Sequence, residues 1–384
     1  MSRSVLDVES VLSELQTRGA WNGSFNGTES TLQQLSPYIG KLKTGMVRSL
    51  IEAFSAPGDW ICDPFSGSGV VLLEALLLGR RAAANDLNIY AYCLTRGKAE
   101  APRLYERASR HAEAVVSHVS KAWRDIDLRR VPNWVRQFFH PRTLKEALAA
   151  FEHCLRRREW FLSACLCGIL HHQRPGFLSY PSSHLVPYLR SQLFPRSKFP
   201  ELYGYRRLAD RLLAKIRRAY RRVPAGPWWS ENDYDVRMCD SRKLPFSDCS
   251  MDLVLTSPPY FGALDYARDN RLRLWFLGEK DWQALDHRLT ARVGVYAEHM
   301  ADCLRQIHRV LKPRKYGILI VGDVQGEGRT HDTGALLGAL AERVTEGGLR
   351  LECVVEDRIP DVRRARRGTK ATHIEKILAF RKGH

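Results

Sequence analysis

Asp59-Trp60-Ile61-Cys62-Asp63-Pro64-Phe65-Ser66-Gly67-Ser68-Gly69, with the apolar run Val70 to Leu78 behind it, is the stretch that decides the fold. Asp59 to Cys62 is short and mostly apolar and ends at Asp63, the pattern of a buried strand reaching its C-terminal end. Gly67, Ser68 and Gly69 read as a tight turn, and the apolar residues that follow recur at helical spacing. Strand, glycine-rich turn and helix form the opening unit of a doubly wound, mostly parallel α/β sheet. Glycine is expected where the backbone passes close beneath a ligand, because a Cβ would collide with it.

A second strand pattern, Arg81-Ala82-Ala83-Ala84-Asn85, ends at Asp86, which lies 19 residues beyond Gly67. An acid at that place can accept from both hydroxyls of a ribose. Turn and acid together predict a nucleoside-cofactor site, with a purely structural βαβ turn as the alternative. Far downstream, Asp252-Leu253-Val254-Leu255-Thr256 reads as another buried strand and delivers Ser257-Pro258-Pro259-Tyr260 at its end. Two successive prolines stiffen the loop and remove two backbone donors. Carbonyl oxygens and the Ser257 hydroxyl remain as hydrogen-bond acceptors. An aromatic amine is a poor nucleophile because its lone pair is delocalised into the ring. Acceptors that take both N–H bonds localise that lone pair, and Tyr260 offers a face on which a base outside its helix can stack. The alternative is a proline-stiffened turn with a packed tyrosine.

These strings resemble the S-adenosylmethionine-dependent DNA amino-methyltransferases, which modify cytosine N4 or adenine N6. Their catalytic tetrapeptide has the form (Asp/Asn/Ser)-Pro-Pro-Tyr. The serine form, usually after a threonine as in Thr256 to Tyr260, is typical of cytosine-N4 enzymes, and the Asp and Asn forms of adenine-N6 enzymes. The resemblance implies that Ser257, Pro258, Pro259 and Tyr260 are catalytic and that the target base is flipped out of the duplex. It implies that Ser36-Pro37-Tyr38-Ile39-Gly40-Lys41, through Tyr38 and Lys41, folds over the methionine end of the cofactor. Asp63, Pro64, Phe65, Gly67 and Gly69 would surround the methionine and adenosine moieties, Asp86 would bind the ribose, and Asp240 would meet the adenine amino group. Gly262 to Tyr266 with Asn270-Arg271-Leu272 resembles the helix start after the catalytic loop. Val310 to Pro313 leading into Gly317 to Asp323, and then His373 to Phe380, resemble a turn and the last strands. The expected enzyme is cytoplasmic, takes double-stranded DNA as its partner, and admits a cognate restriction endonuclease beside it. One departure stands out: a long insert separates Asp86 from Asp240, and the substrate motif follows the cofactor motif, whereas many serine-type enzymes run in the permuted order. An adenine-N6 DNA enzyme, an RNA base amino-methyltransferase and a non-catalytic nucleic-acid binder with a relic cradle are the rival readings. Intact Asp63, Gly67, Gly69, Asp86 and Ser257 to Tyr260 argue against the last.

The insert, residues 101–230, holds 25 Lys plus Arg against 9 Asp plus Glu, so nearly all of the chain's net charge of +18 sits there. It also holds 18 of the 37 Phe, Trp and Tyr residues. Basic charge neutralises phosphates and aromatic faces stack on bases, so the segment is expected to contact nucleic acid. From Arg206 to Val223 apolar residues fall at 208, 212, 213, 216, 220 and 223, predicting a helix with arginines on its other face. Arg156-Arg157-Arg158 and Arg221-Arg222 are candidates for backbone contacts, and Arg174 with Ser179 to His184 for base edges. Arg363, Arg364, Arg366, Arg367 and Lys370 form a second basic cluster that either clamps DNA or is a surface loop.

These readings divide the chain into an N-terminal helix and loop (1–34), a first catalytic part (35–100), the helical basic insert (101–230) and a second catalytic part (231–384). No run of 18 apolar residues is present, and Met1-Ser2-Arg3-Ser4 does not read as a signal sequence. Nine cysteines without Cys-x-x-Cys spacing read as reduced, mostly buried thiols. His171-His172 diverge if helical, so no metal is expected.

Overall fold

The computed structural model describes residues 7–17, 21, 29–172, 176–181, 194–223, 228–259, 266–289, 295–326, 329–358 and 374–384. Among these residues nine strands follow one another along the chain. They are β1 (Trp60–Asp63), β2 (Arg81–Asn85), β3 (Tyr234–Arg237), β4 (Met251–Thr256), β5 (Leu311–Gly322), β6 (Val324–Gly326), β7 (Arg329–His331), β8 (Leu349–Arg358) and β9 (Ile374–Lys382). Seven of them build one sheet in the order β3-β2-β1-β4-β5-β9-β8, while β6 and β7 pair separately. From β3 to β5 every pairing is parallel, and β9 runs antiparallel to both of its neighbours.

Alternation along the strands covers both faces. Ile61, Leu253, Leu255, Ile318 and Ile320 point to one side, where α1 (Val8–Thr17), α2 (Thr44–Phe54) and α3 (Val70–Leu77) pack. Cys62, Ala83, Val254, Leu319 and Val321 point to the other side. All six residues of β4 are buried, as expected of a strand covered on both faces. The strand order turns back between β1 and β4, which makes their carboxyl ends the topological switch point. Side chains tie this pair at both ends. Asp252 accepts from the Trp60 amide at 3.1 Å and from Lys312 Nζ at 2.7 Å. At the other end the Thr256 hydroxyl donates to Asp63 Oδ1 at 2.6 Å.

Beside the sheet stands a helical layer: α4 (Ile89–Ala99), α5 (Tyr105–Ala122), α6 (Asn133–Arg136), α7 (Pro141–Arg156), α8 (Trp160–Leu170) and α9 (Leu208–Ala219). Its core joins Val115, Phe138, Phe151, Leu166 and Leu212 to Tyr90 and Leu94 of α4, so residues 101–219 share one apolar core with the helix that follows β2. In α9 Leu208, Leu212 and Ile216 are buried at the spacing the sequence predicts. The next helices in the chain are α10 (Tyr266–Asp269), α11 (Arg271–Phe276), α12 (Trp282–Arg288), α13 (Tyr296–Val310) and α14 (Thr333–Val344). Of these, α13 and α14 cover the second face of the sheet. All nine cysteines are free thiols, and no metal-binding cluster occurs among the described residues. His171 is buried and its Nδ1 shares a 2.8 Å hydrogen bond with Ser179 Oγ. No described helix is long and apolar enough to cross a membrane.

Helix α8 is buried at every position after Trp160, and Gly168 lies where the chain at Leu35 crosses it. A Cβ at Gly168 would stand 1.9 Å from the Leu35 carbonyl oxygen. Gly168→Val should therefore lower stability by roughly 1–3 kcal/mol, the usual cost of overpacking. Urea denaturation followed by circular dichroism checks this, and a midpoint equal to the parent's would contradict the packing described.

Candidate cofactor and catalytic cleft

The cleft opens at the switch point. Asp63 closes β1, and the turn Pro64 to Gly69 leads into α3 with Gly67 at φ +49° and Gly69 at φ +74°. Both glycines answer to protein neighbours. A Cβ at Gly67 would come within 3.2 Å of the Tyr38 ring, and one at Gly69 within 2.8 Å of Thr95 Cα in α4. The turn is further held by Ser66 Oγ and Thr95 Oγ1, 3.1 Å apart. Asp86 follows β2 and spends its carboxylate on the backbone, accepting from the Gly67 amide at 2.9 Å and the Asn88 amide at 2.9 Å. Tyr38 reaches the cradle because Ser36 hydrogen-bonds the Tyr90 hydroxyl at 2.7 Å and Tyr90 in turn donates to the Pro37 carbonyl.

From the neighbouring strand, Thr256 hands over Ser257, Pro258 and Pro259. Ser257 and Pro259 line the same cleft as Tyr38, Lys41, Asp63, Phe65, Gly67, Asp86 and Asp240, around about 850 Å³ of open space. Pro258 is buried and is not among the residues that line the cleft. Tyr260 lies outside the described residues. Pro64 and Gly69 support the turn from behind the cleft wall; the Pro64 carbonyl accepts from Ser241 Oγ at 2.7 Å.

The electrostatics favour a cationic occupant. Burial pushes the Asp63 carboxyl up to about 7, against the opposing hydrogen bonds from Thr256 and the Phe65 amide. Burial likewise pushes Asp86 up to about 6, although the amides of Asn88, Gly67 and Leu87 resist it. Among the described residues no Lys or Arg pairs with either acid. Two buried carboxyls in one cleft, both discouraged from ionising, are the surroundings a sulfonium and an ammonium group would relieve. The residues present thus fit S-adenosylmethionine. Lys41 is drawn down to about 8 by burial, opposed by Glu29 and Glu74, and its Nζ donates to the Gln33 carbonyl at 2.6 Å. Asp240 is already engaged. Burial raises its carboxyl, but the Arg242 guanidinium, donating at 2.9 and 2.5 Å, holds it below the usual range.

Several residues that build the cleft carry no motif signal. Thr256 is one. Asn85, wholly buried, donates to the Cys239 carbonyl at 3.0 Å and accepts from the Cys239 amide at 3.0 Å, joining the β2 end to the Asp240 loop. Gln33 bridges two buried charges, donating to Glu74 at 2.9 Å and accepting from Lys98 Nζ at 2.7 Å. A polar residue inside an otherwise apolar run is the only hint the sequence offers of such roles. None of Arg156, Arg157, Arg158, Arg221 and Arg222 lines the cleft. Arg156 pairs with Glu152 at 2.5 Å and Arg157 with Glu159 at 3.2 Å, Arg158 turns the chain at φ +56°, and Arg221 and Arg222 are exposed beyond α9. Arg174, Arg363, Arg364, Arg366 and Arg367 lie outside the described residues.

A glycine-rich turn at the switch point of this mostly parallel strand order, with one antiparallel strand next to the edge, is a Rossmann-like arrangement. Residues 20–95 match the family model described as DNA methylase. No curated protein matches the chain. Among solved structures it is similar to TTHA0409 of Thermus thermophilus, described as a candidate DNA modification methylase and crystallised with S-adenosyl-L-methionine. That match has 21% identity over 38% of this chain and 51% of the other, with a TM-score of 0.25. TrmN from Thermus thermophilus matches at 14% identity over 90% of this chain and 50% of its own, with a TM-score of 0.33. A SAM-dependent methyltransferase from Methanosarcina mazei matches at 11% identity over 87% and 97%, with a TM-score of 0.36. The chain spans about half the length of the two Thermus proteins.

If a cation is held by Asp63, its affinity should rise with pH through the range in which that acid ionises, about 7. Calorimetric titration of S-adenosylmethionine from pH 8 down to pH 5.5 should show weakening that approaches about tenfold per pH unit for one required carboxylate. Asp63→Asn should bind more weakly at pH 8 and lose most of the slope. An affinity independent of pH would remove the cationic reading of the cleft.

Proposed function

We propose that this chain transfers a methyl group from S-adenosylmethionine to an exocyclic amino nitrogen of a base in double-stranded DNA, and that the base is cytosine, modified at N4. The observation that carries the reading is that Ser257 and Pro259 share one cleft wall with Asp63, Gly67 and Asp86. The serine after Thr256, in place of Asp or Asn, favours cytosine over adenine-N6 through the resemblance to the serine-type enzymes.

S-adenosylmethionine, when bound, supplies a methyl carbon made electrophilic by the adjoining sulfonium. Asp86 would take the ribose hydroxyls, sharing its oxygens with the amides it already holds, and Tyr38 and Lys41 would close the methionine end. Asp240, committed to Arg242, is left with less capacity for an adenine amino group, and part of that recognition would fall to its neighbours in the loop. Ser257 Oγ and the Pro258 carbonyl accept the two amino N–H bonds of a base flipped from its duplex. Localising the lone pair in this way makes the nitrogen a nucleophile, and Tyr260 stacks on the ring. No strong base is required for attack, because the nitrogen becomes acidic only once it is cationic. Positioning is the main contribution, worth roughly 7–11 kcal/mol for well-aligned reactants. Arg156, Arg157, Arg158, Arg221 and Arg222 of the basic insert, with Arg363, Arg364, Arg366 and Arg367, are the proposed contacts to the DNA backbone, and Arg174 is the proposed contact to base edges.

Transfer of label from S-adenosyl-[methyl-³H]methionine to duplex DNA tests this. Ser257→Ala should retain cofactor affinity within about twofold and lose at least about a hundredfold in turnover, the scale expected for losing an acceptor that acts at the reacting nitrogen. Turnover equal to the parent's would remove Ser257 from catalysis.

A further inference from the structure

A second groove, of about 880 Å³, runs between α9 and the segment that carries Gln33 to Lys41. It shares Tyr38 and Lys41 with the cofactor cleft, so the two cavities meet along one edge. Its charge is one-sided. Arg206, Arg207, Arg211, Lys215 and Arg218 line it, and among the described lining residues Asp210 is the one acid, 3.7 Å from Arg207. Arg206 and Lys215 are fixed in place by carbonyl oxygens of Ser179 and Gln34, at 2.7 and 2.6 Å, and gain no carboxylate there. The side chains of Arg211 and Arg218 have neither a hydrogen bond nor an ion pair among the described residues.

Arg207, Arg211, Lys215 and Arg218 follow one another at four, four and three residues, so they share a helix face over about 16 Å of axis. Like charges stacked at that spacing oppose helix formation by a few tenths of a kcal/mol per pair. A row of this kind is tolerable where a polyanion lies along it. Tyr205, with the Arg142 guanidinium 4.3 Å over its ring, adds an aromatic face at the groove wall.

We propose that this groove seats the sugar–phosphate backbone of duplex DNA, with Arg211 and Arg218 on phosphates, beside the edge where the groove meets the cofactor cleft. The proposal rests on the reading of the chain as a DNA amino-methyltransferase. It names a contact face that the runs Arg156 to Arg158 and Arg221-Arg222 do not include.

Fluorescence anisotropy with a short labelled DNA duplex, over a salt series, tests it on the full chain. Arg211→Glu/Arg218→Glu should weaken binding at least tenfold. The milder Arg211→Gln/Arg218→Gln should reduce the slope of log Kd against log salt by about two, one per phosphate contact released. S-adenosylhomocysteine affinity, read by calorimetry, should match the parent's for both variants, showing that the cleft is intact. Arg305→Glu, at an exposed position of α13, serves as the charge control and should bind as the parent does. Duplex affinity unchanged in both double variants, while the parent methylates DNA, would overturn the groove and leave the activity standing. A parent chain that binds no duplex at low salt would overturn both. Tighter binding of an RNA hairpin, lost on the same substitutions, would show the partner to be RNA and contradict the assignment to DNA.

Discussion

Thr256 and Asp63 hold the site together. Their 2.6 Å hydrogen bond joins the ends of two adjacent strands whose residues stand 193 positions apart in the chain. One strand carries the cradle, the other the Ser257-Pro258-Pro259 loop. A buried carboxylate costs free energy unless its lone pairs are used. Asp63 therefore pulls the Thr256 hydroxyl and the Phe65 amide onto itself, and the two halves of the cleft acquire a fixed relation. At the opposite end of the same strand pair Asp252 of β4 accepts from the Trp60 amide of β1, and it also accepts from Lys312 of β5.

Around that pair the structure spends its buried polar groups on geometry. Asn85 ties the β2 end to the loop of Asp240, Asp86 straightens the glycine turn by accepting from Gly67, and Tyr90 carries the Ser36 to Tyr38 segment over the turn. Below it, Gln33 buffers Glu74 and Lys98, two charges that burial drives toward their neutral forms. The outcome is a cleft whose two acids, without a basic partner among the described residues, suit a positively charged ligand. The helical layer is built onto this frame through α4 and α8, where Gly97 and Gly168 permit backbones to approach. Its basic face on α9 is thereby set alongside the cleft.

Much of this architecture was legible in the residues. The strands around Cys62, Ala83 and Val254 show themselves by apolar runs, and β2 occupies the same five residues that its pattern marks out. The α9 helix follows its 208–212–216 spacing. Chemistry confined to short contiguous strings could be read in the same way, because the residues of a turn or a loop are neighbours in sequence. What stayed hidden depends on separation. Nothing local says that Thr256 meets Asp63 or that Gly69 yields to Thr95. The glycines show the limit well: their pattern points to a ligand, but the first atoms a Cβ would strike belong to Tyr38 and Thr95. Similarly, a count of arginines locates a basic segment but not the groove it faces, which needs the packing of α9 against residues 33–41.

The central claim is that one cleft brings a methyl donor to the amino nitrogen of cytosine in DNA. The most direct test is nucleoside mass spectrometry on DNA from a methylation-free bacterial host expressing this chain. The account predicts an N4-methylcytosine peak absent from the host without the chain. N6-methyladenine alone would contradict the choice of base, and DNA with neither modification, from cells holding folded, cofactor-binding protein, would contradict the claim itself.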